Sequence, residues 1–329
     1  MTARENINEY FNGRPFMVLC ALALMAITVM SVAMGVKPAG TSGTGLLFSL
    51  DGPLMGSGPL SAAVNLLCLL ATGGVMLALN KVFSYVRAVT HLFVSAFFLL
   101  QLANPAGLVA FNAGTLLSLV TAIATMPLFA AYQDRHSQRS IFLIFALVTA
   151  GSMFNYGFLA LMPAFVLGFL NMGVLNVKGV LAMLFGIITP FWIVLGLGIA
   201  SPSDFVVPHL HGIWHRPADA ASTLLLVLTV LTSMLGLVLA VGNLFTIINY
   251  RVQTRVYNAF FVFVLIVLLV ALIIDYANVA VYLPLLNLMV AVQVAHAHTL
   301  QATNGYRYIF ILLLVAACLA AAITRILMP

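Results

Sequence analysis

Residues 16–36 read FMVLCALALMAITVMSVAMGV, an apolar run with no charge and no proline. As a helix, a run of this length covers about 30 Å, the thickness of the hydrocarbon core of a bilayer. It exceeds the apolar core of a secretory signal, which is about 7–15 residues. Glu5 and Glu9 precede it, so the leader is not a simple basic one. The run therefore predicts a retained first membrane span.

Ten further apolar runs follow, at about 60–80, 88–104, 112–132, 140–154, 158–175, 179–200, 222–249, 257–275, 282–299 and 307–327. The composition agrees. The 329 residues are 64% hydrophobic and 6% charged, whereas a soluble domain carries about 25% charged residues. This excludes soluble, disordered and peripheral proteins. The expected fold is all-α: a polytopic integral membrane helical bundle of about 11 transmembrane helices, one transmembrane domain over 1–329. Its two main outer loops are 37–59 and 201–221.

The charges orient the bundle. With the N-terminus inside, Arg4, Arg14, Lys81, Arg87, Arg135, Arg139, Lys178, Arg251, Arg255 and Arg307 fall on the inner side. Only Lys37, Arg216 and Arg325 fall outside. Basic residues of short loops are retained in the cytoplasm, so the expected topology is N-in and C-out. The bases are scattered rather than clustered, which excludes a nucleic-acid surface. The cysteines Cys20, Cys68 and Cys318 lie far apart within apolar runs and read as buried small hydrophobes.

The acids Asp51, Asp204, Asp219 and Asp275 are expected outside, and none reads as lying at a span centre. An intramembrane carboxylate would point to function, so a proton- or sodium-coupled carrier is disfavoured. Asp275 with Tyr276 ends one span and reads as an interface marker. Asp204 and Asp219 read as structural or helix-capping residues. Asp51, in Ser-Leu-Asp-Gly-Pro, fits either a turn or a general base.

The densest stretch is Val207-Pro208-His209-Leu210-His211-Gly212-Ile213-Trp214-His215-Arg216-Pro217. His209, His211 and His215 offer three imidazoles for zinc, but no cysteine or nearby carboxylate completes such a set. The preferred reading is an interfacial segment with Trp214, His215 and Arg216 at headgroup level. Arg216, His215 and His211 are also candidates for binding a lipid phosphate. The second pair, His296 and His298, belongs to the inner end of its span, about 30 Å away. Asn65, His91, Gln101, Asn155, Asn243, Asn287 and Gln293 read as hydrogen bonds between helices, and paired glycines such as Gly73-Gly74 and Gly236/Gly242 as close helix contacts. No nucleotide-binding, serine-hydrolase or zinc-protease motif occurs.

Several segments carry a family resemblance: Tyr85-Val86-Arg87, Ala103-Asn104-Pro105, the polar loop 133–139, Gly151 to Pro163 and Gly186-Ile-Ile-Thr-Pro190-Phe191. Over about residues 75–200 the chain resembles an uncharacterised polytopic inner-membrane family of Bacteroidota, similar to trimmed GT-C-type glycosyltransferases. Elsewhere it resembles them in span count. The resemblance implies a GT-C-like topology, a cell-envelope location and a lipid-linked (polyprenyl-phosphate) sugar bound or transferred at the outer face. It also implies Asp51 as the catalytic acid. Gly52 stands where such enzymes keep a second acid, so a degenerate, non-catalytic relative is equally implied. Two other functions fit the residues: a non-catalytic subunit or scaffold of an envelope assembly, with a membrane-protein partner, and a small-solute or lipid carrier.

Overall fold

The computed structural model describes residues 3–38, 45–48, 58–86, 90–215, 219–248, 250–300 and 307–327. Among them there is no strand. The short polar helix α1 (Ala3–Asn12) comes first. Eleven apolar helices follow: α2 (Arg14–Ala33), α3 (Pro59–Phe83), α4 (Leu92–Leu102), α5 (Ala113–Ala130), α6 (Gln138–Phe154), α7 (Leu161–Asn171), α8 (Val177–Gly196), α9 (Ala220–Ile247), α10 (Val252–Ile274), α11 (Val279–Leu300) and α12 (Arg307–Leu327). Eight of these are long and apolar enough to cross a membrane; α4, α6 and α7 are shorter. The protein is thus an all-helical bundle of membrane-spanning type.

Local chemistry sets the helix ends. Pro15 and Pro59 open α2 and α3, where a missing N–H costs nothing. Asn112, Asn176 and Asp219 cap α5, α8 and α9, accepting from the N–H groups of Thr115, Gly179 and Ser222 at 2.8–3.0 Å. Two breaks differ from the apolar runs. The run 88–104 becomes the eleven-residue α4. Asn104 precedes Pro105 and is forced out of helical geometry (φ −122°, ψ 76°). The chain then proceeds through a 3₁₀ turn, Pro105–Gly107, whose Pro105 and Ala106 are buried. Asn155 turns extended after α6 and caps the 3₁₀ turn Tyr156–Ala160 through Gly157 N–H at 2.8 Å. Non-helical backbone at such depth is tolerated only inside protein.

Helix α11 is the axis. Its apolar stretch is wholly buried, with α4, α5, α9 and α10 packed around it. The outermost helix, α8, rests chiefly on α6 and has 11% of its apolar stretch buried. Lipid demands an apolar outside, whereas a protein-facing helix tolerates amides that find partners. Accordingly Gln101 donates to the Pro284 carbonyl at 3.1 Å and Asn287 to the Leu100 carbonyl at 3.3 Å, both between α4 and α11. α5 and α11 approach closely at Gly114, where a Cβ would lie 2.5 Å from the Val281 carbonyl oxygen.

Loop hydrogen bonds sort the helix ends into two groups. At one end, Gln133 N–H donates to Met172 O, Asn176 to Arg135 O and Asn171 to Val256 O. That end carries Arg14, Lys81, Arg135, Arg139, Lys178, Arg251 and Arg255. At the other, Phe111 N–H donates to Ser61, Asn65 to Gly107 O, and Arg325 to Ala221 O. Among described residues it holds only Lys37 and Arg325 as bases. We call the two the basic end and the loop end.

Candidate functional site

At the loop end, the turn between α10 and α11 buries a carboxylate. Asp275 closes α10, its N–H bonded to Ala271 O at 2.8 Å, and its backbone then leaves the helix (φ −136°, ψ 61°). It is 2% exposed. Three side chains meet it. Asn278 Nδ2 donates to Oδ2 at 2.8 Å, Tyr282 O–H to Oδ2 at 3.0 Å and Tyr156 O–H to Oδ1 at 3.2 Å. Asn278 and Tyr282 lie three and seven positions along, on one helical face. Tyr156 is delivered by the break after α6, so α6, α10 and α11 converge on one carboxyl group. A carboxylate withdrawn from water is costly without donors, and these three replace its hydration. Gly157 allows the approach: a Cβ there would sit 2.8 Å from Asn155 Oδ1 and 3.2 Å from the Tyr282 ring.

The loop 205–215 roofs this group. Ala277 N–H donates to the His211 carbonyl at 3.2 Å. Tyr156 O–H lies 3.5 Å from the His209 carbonyl, but its single proton goes to the nearer carboxylate oxygen, the stronger acceptor. Val206 N–H donates to Leu46 O at 3.0 Å, and Leu46 N–H in turn to Ser152 O at 3.1 Å. The segment leading towards residue 51 is thereby tied to the roof. Val207, Leu210 and Trp214 are exposed on it.

The structure places the sequence-derived candidates unevenly. Asp51 and Arg216 lie outside the described residues. His211 and His215 are exposed, with rings perpendicular and 6.2 Å apart; His211 Nδ1 contacts the His209 carbonyl at 3.1 Å. Among described residues no three His, Cys, Asp or Glu side chains gather as a metal-holding group. Asp204 is the third residue of a 3₁₀ turn whose N-cap is Ser201. The two form a reciprocal capping box, with Ser201 N–H 2.8 Å from Asp204 Oδ2. That backbone bond, with the Ser201 hydroxyl, holds the Asp204 carboxyl below the usual aspartate range. Asp219 caps α9, beside the Arg325–Ala221 contact.

The residue that sequence reading missed is Asp275. Read as an interface marker, it is instead enclosed. The available signal was the spacing Asp275, Asn278, Tyr282, a polar stripe at the entry of a span. Tyr156, distant in sequence, carries no such signal. Comparison with protein-family models, with curated proteins and with solved structures returned no match.

Proposed function

We propose that this chain is an eleven-span protein of a bacterial inner membrane, with its N-terminus cytoplasmic, that binds a polyprenyl-phosphate-linked sugar at its outer face. The concentration of arginine and lysine at one end supports that end as cytoplasmic. The loop end is then the outer one, and the shorter helices α4, α6 and α7 complete the eleven spans. One observation carries the ligand reading. The strand of chain leading to Asp51 and the loop bearing His211 and His215 are joined through Leu46 and Val206, above a buried carboxylate. A lipid-linked sugar calls for such a surface: imidazoles and, by sequence, Arg216 as donors for phosphate, and exposed apolar residues such as Trp214 and Leu210 at the acyl boundary.

Three measurements test it. Cysteine placed at Leu210 is expected to react with a membrane-impermeant maleimide from the outside of intact cells; labelling only from the cytoplasmic side overturns the topology. Purified protein is expected to retain polyprenyl-phosphate sugars over phosphatidylethanolamine in native mass spectrometry. Asp51→Asn is expected to abolish any sugar transfer while leaving folding intact; unchanged transfer removes Asp51 as the base. A second reading, a small-solute carrier, is favoured by the polar residues of the enclosed α11, which run from Tyr282 to His296 over about 21 Å.

A further inference from the structure

At the loop end, α2 stops on a glycine. Gly35 takes φ +67°, with its N–H donating to Val32 O at 3.1 Å and the Val36 N–H to Ser31 O at 3.0 Å. Such a pair of bonds ends a helix and turns the next apolar residue back onto it. Val36 is accordingly buried, in a small apolar cluster with Ala106, Val109 and Ile326. Lys37 follows and is exposed. Helix α3 starts from Gly58, which is extended and offers no side-chain cap. The Ser61 hydroxyl accepts from Phe111 N–H at 2.8 Å, and Asn65 donates to Gly107 O at 3.0 Å. The segment carrying Val109 is thereby held against the first turns of α3.

These pieces enclose a cavity of about 330 Å³, lined by Val32, Val36, Lys37, Gly58, Pro59 and Val109 among others. That volume is within the range of small-ligand sites. Its walls are mainly apolar, and among the described residues lining it Lys37 is the one charged side chain. Two glycines leave it open, since a Cβ at Gly35 or Gly58 would meet nothing within 4 Å. The flanking helices face outwards. Val29 and Met34 on α2 and Leu60 on α3 are exposed, and 28% and 39% of the two apolar stretches are buried. In a membrane such faces take lipid tails, which are as apolar as leucine. A single cation above apolar walls suits a ligand with one negative headgroup and a hydrocarbon tail. A neutral solute would leave Lys37 unused, and a freely soluble anion would gain nothing from the valines. Lysine binds phosphate as a point charge.

We propose that the cavity between the end of α2 and the start of α3 holds the phosphate headgroup of a membrane lipid, with Lys37 as its counter-charge and the tail lying along the two helices. This requires the loop end to lie at a membrane surface and does not require Asp51 or the histidine loop. A polyprenyl phosphate and an anionic phospholipid carry the same chemistry.

The test uses the full chain in nanodiscs, each holding one lipid with a photoactivatable diazirine near its headgroup: polyprenyl phosphate, phosphatidylglycerol or phosphatidylcholine. Adducts are mapped by peptide mass spectrometry, which separates this cavity from the bases of the other end. At least one of the two anionic probes is expected to label residues 32–38 and 58–60 by about tenfold over phosphatidylcholine, the worth of one charge-assisted contact. Labelling by the polyprenyl phosphate names that lipid. Labelling by phosphatidylglycerol alone supports the cavity and counts against the polyprenyl ligand proposed above. The selective labelling is expected to vanish in Lys37→Gln and to persist in Lys37→Arg; Lys37 is exposed, so both variants should fold. It is expected to vanish also in Gly58→Trp, where an extended backbone accepts any residue and the indole takes the open space. The proposal is overturned if neither anionic probe exceeds phosphatidylcholine at these residues, or if the preference survives in Lys37→Gln or in Gly58→Trp.

Discussion

Asp275→Ala is expected to lower the melting temperature of the purified protein by about 10 °C. The substitution removes the carboxylate that accepts from Asn278 Nδ2, Tyr282 O–H and Tyr156 O–H, and leaves Tyr156 the more distant His209 carbonyl. A buried group left unsatisfied costs about 1–3 kcal/mol, and loss of one side of a buried charged network about 3–5 kcal/mol in all. With a shift of about 2–4 °C per kcal/mol for a chain of some size, the total is near ten degrees. Asp275→Asn is expected to fall between, since it keeps one carbonyl oxygen but turns an NH₂ group towards donors. Tyr156→Phe, which leaves the carboxylate two of its three donors, is expected to cost about 1–2 kcal/mol. Melting followed by a thiol-reactive dye or by fluorescence-detected chromatography reads all three. An Asp275→Ala protein melting within about a degree of wild type would show that the network does not hold α6, α10 and α11 together.

The second large effect is steric. Gly114→Ala is expected to destabilise by about 3 kcal/mol, at the upper end of overpacking costs. The added methyl would stand 2.5 Å from Val281 O, 2.8 Å from Ala280 O and 2.9 Å from Val281 Cα. All three are backbone atoms of α11 and cannot rotate away, so α5 must back off along its length. Gly74→Ala is the matched control: nothing lies within 4 Å of its added methyl. There the greater helix propensity of alanine applies, up to about 1 kcal/mol, and the melting temperature is expected to hold or rise slightly. Two alanine substitutions in apolar helices thus move in opposite directions. Equal melting of the two variants would rule out a tight α5–α11 contact at Gly114.

These two positions mark how far the sequence is readable. Hydropathy measures the cost of leaving water for lipid, and it locates every apolar helix to within a few residues. Capping and proline chemistry sharpen several starts, as at Pro15, Pro59, Asn112 and Asn176. The interhelical roles of Asn65, Gln101, Asn243, Asn287 and Gln293 follow from the same logic, because an amide inside a span needs a partner. Hydropathy does not tell lipid from protein as the neighbour. The run 88–104 therefore resembles any span, although α4 is short and fully enclosed. Likewise Gly73 meets Phe98 and Val94 while the adjacent Gly74 faces open space. Gly114 and Gly186, which meet backbone, stand in no paired motif. Asp275 escaped for a related reason. At a span boundary a carboxylate looks the same whether it faces water or is covered by a loop from sixty residues away. The roof depends on Leu46, Ser152, Val206 and His211, four positions joined only by the fold.

The enclosure of α11 also bears on the order in which the bundle can form. A chain is made from its N-terminus and its earlier parts settle first. Here the axis of the finished structure is the eleventh of twelve helices. Until it arrives, Gln101, Asn243 and Asn258 have no Pro284 carbonyl or Gln293 amide to meet, and α4, α5, α9 and α10 enclose nothing. The first ten helices must then stay loosely associated in the bilayer, with a vacant seat lined by amides, and close only when α11 slides in between them. Final packing is in this sense a late event of synthesis, and a chain interrupted before Val279 would lack its centre, not merely its end.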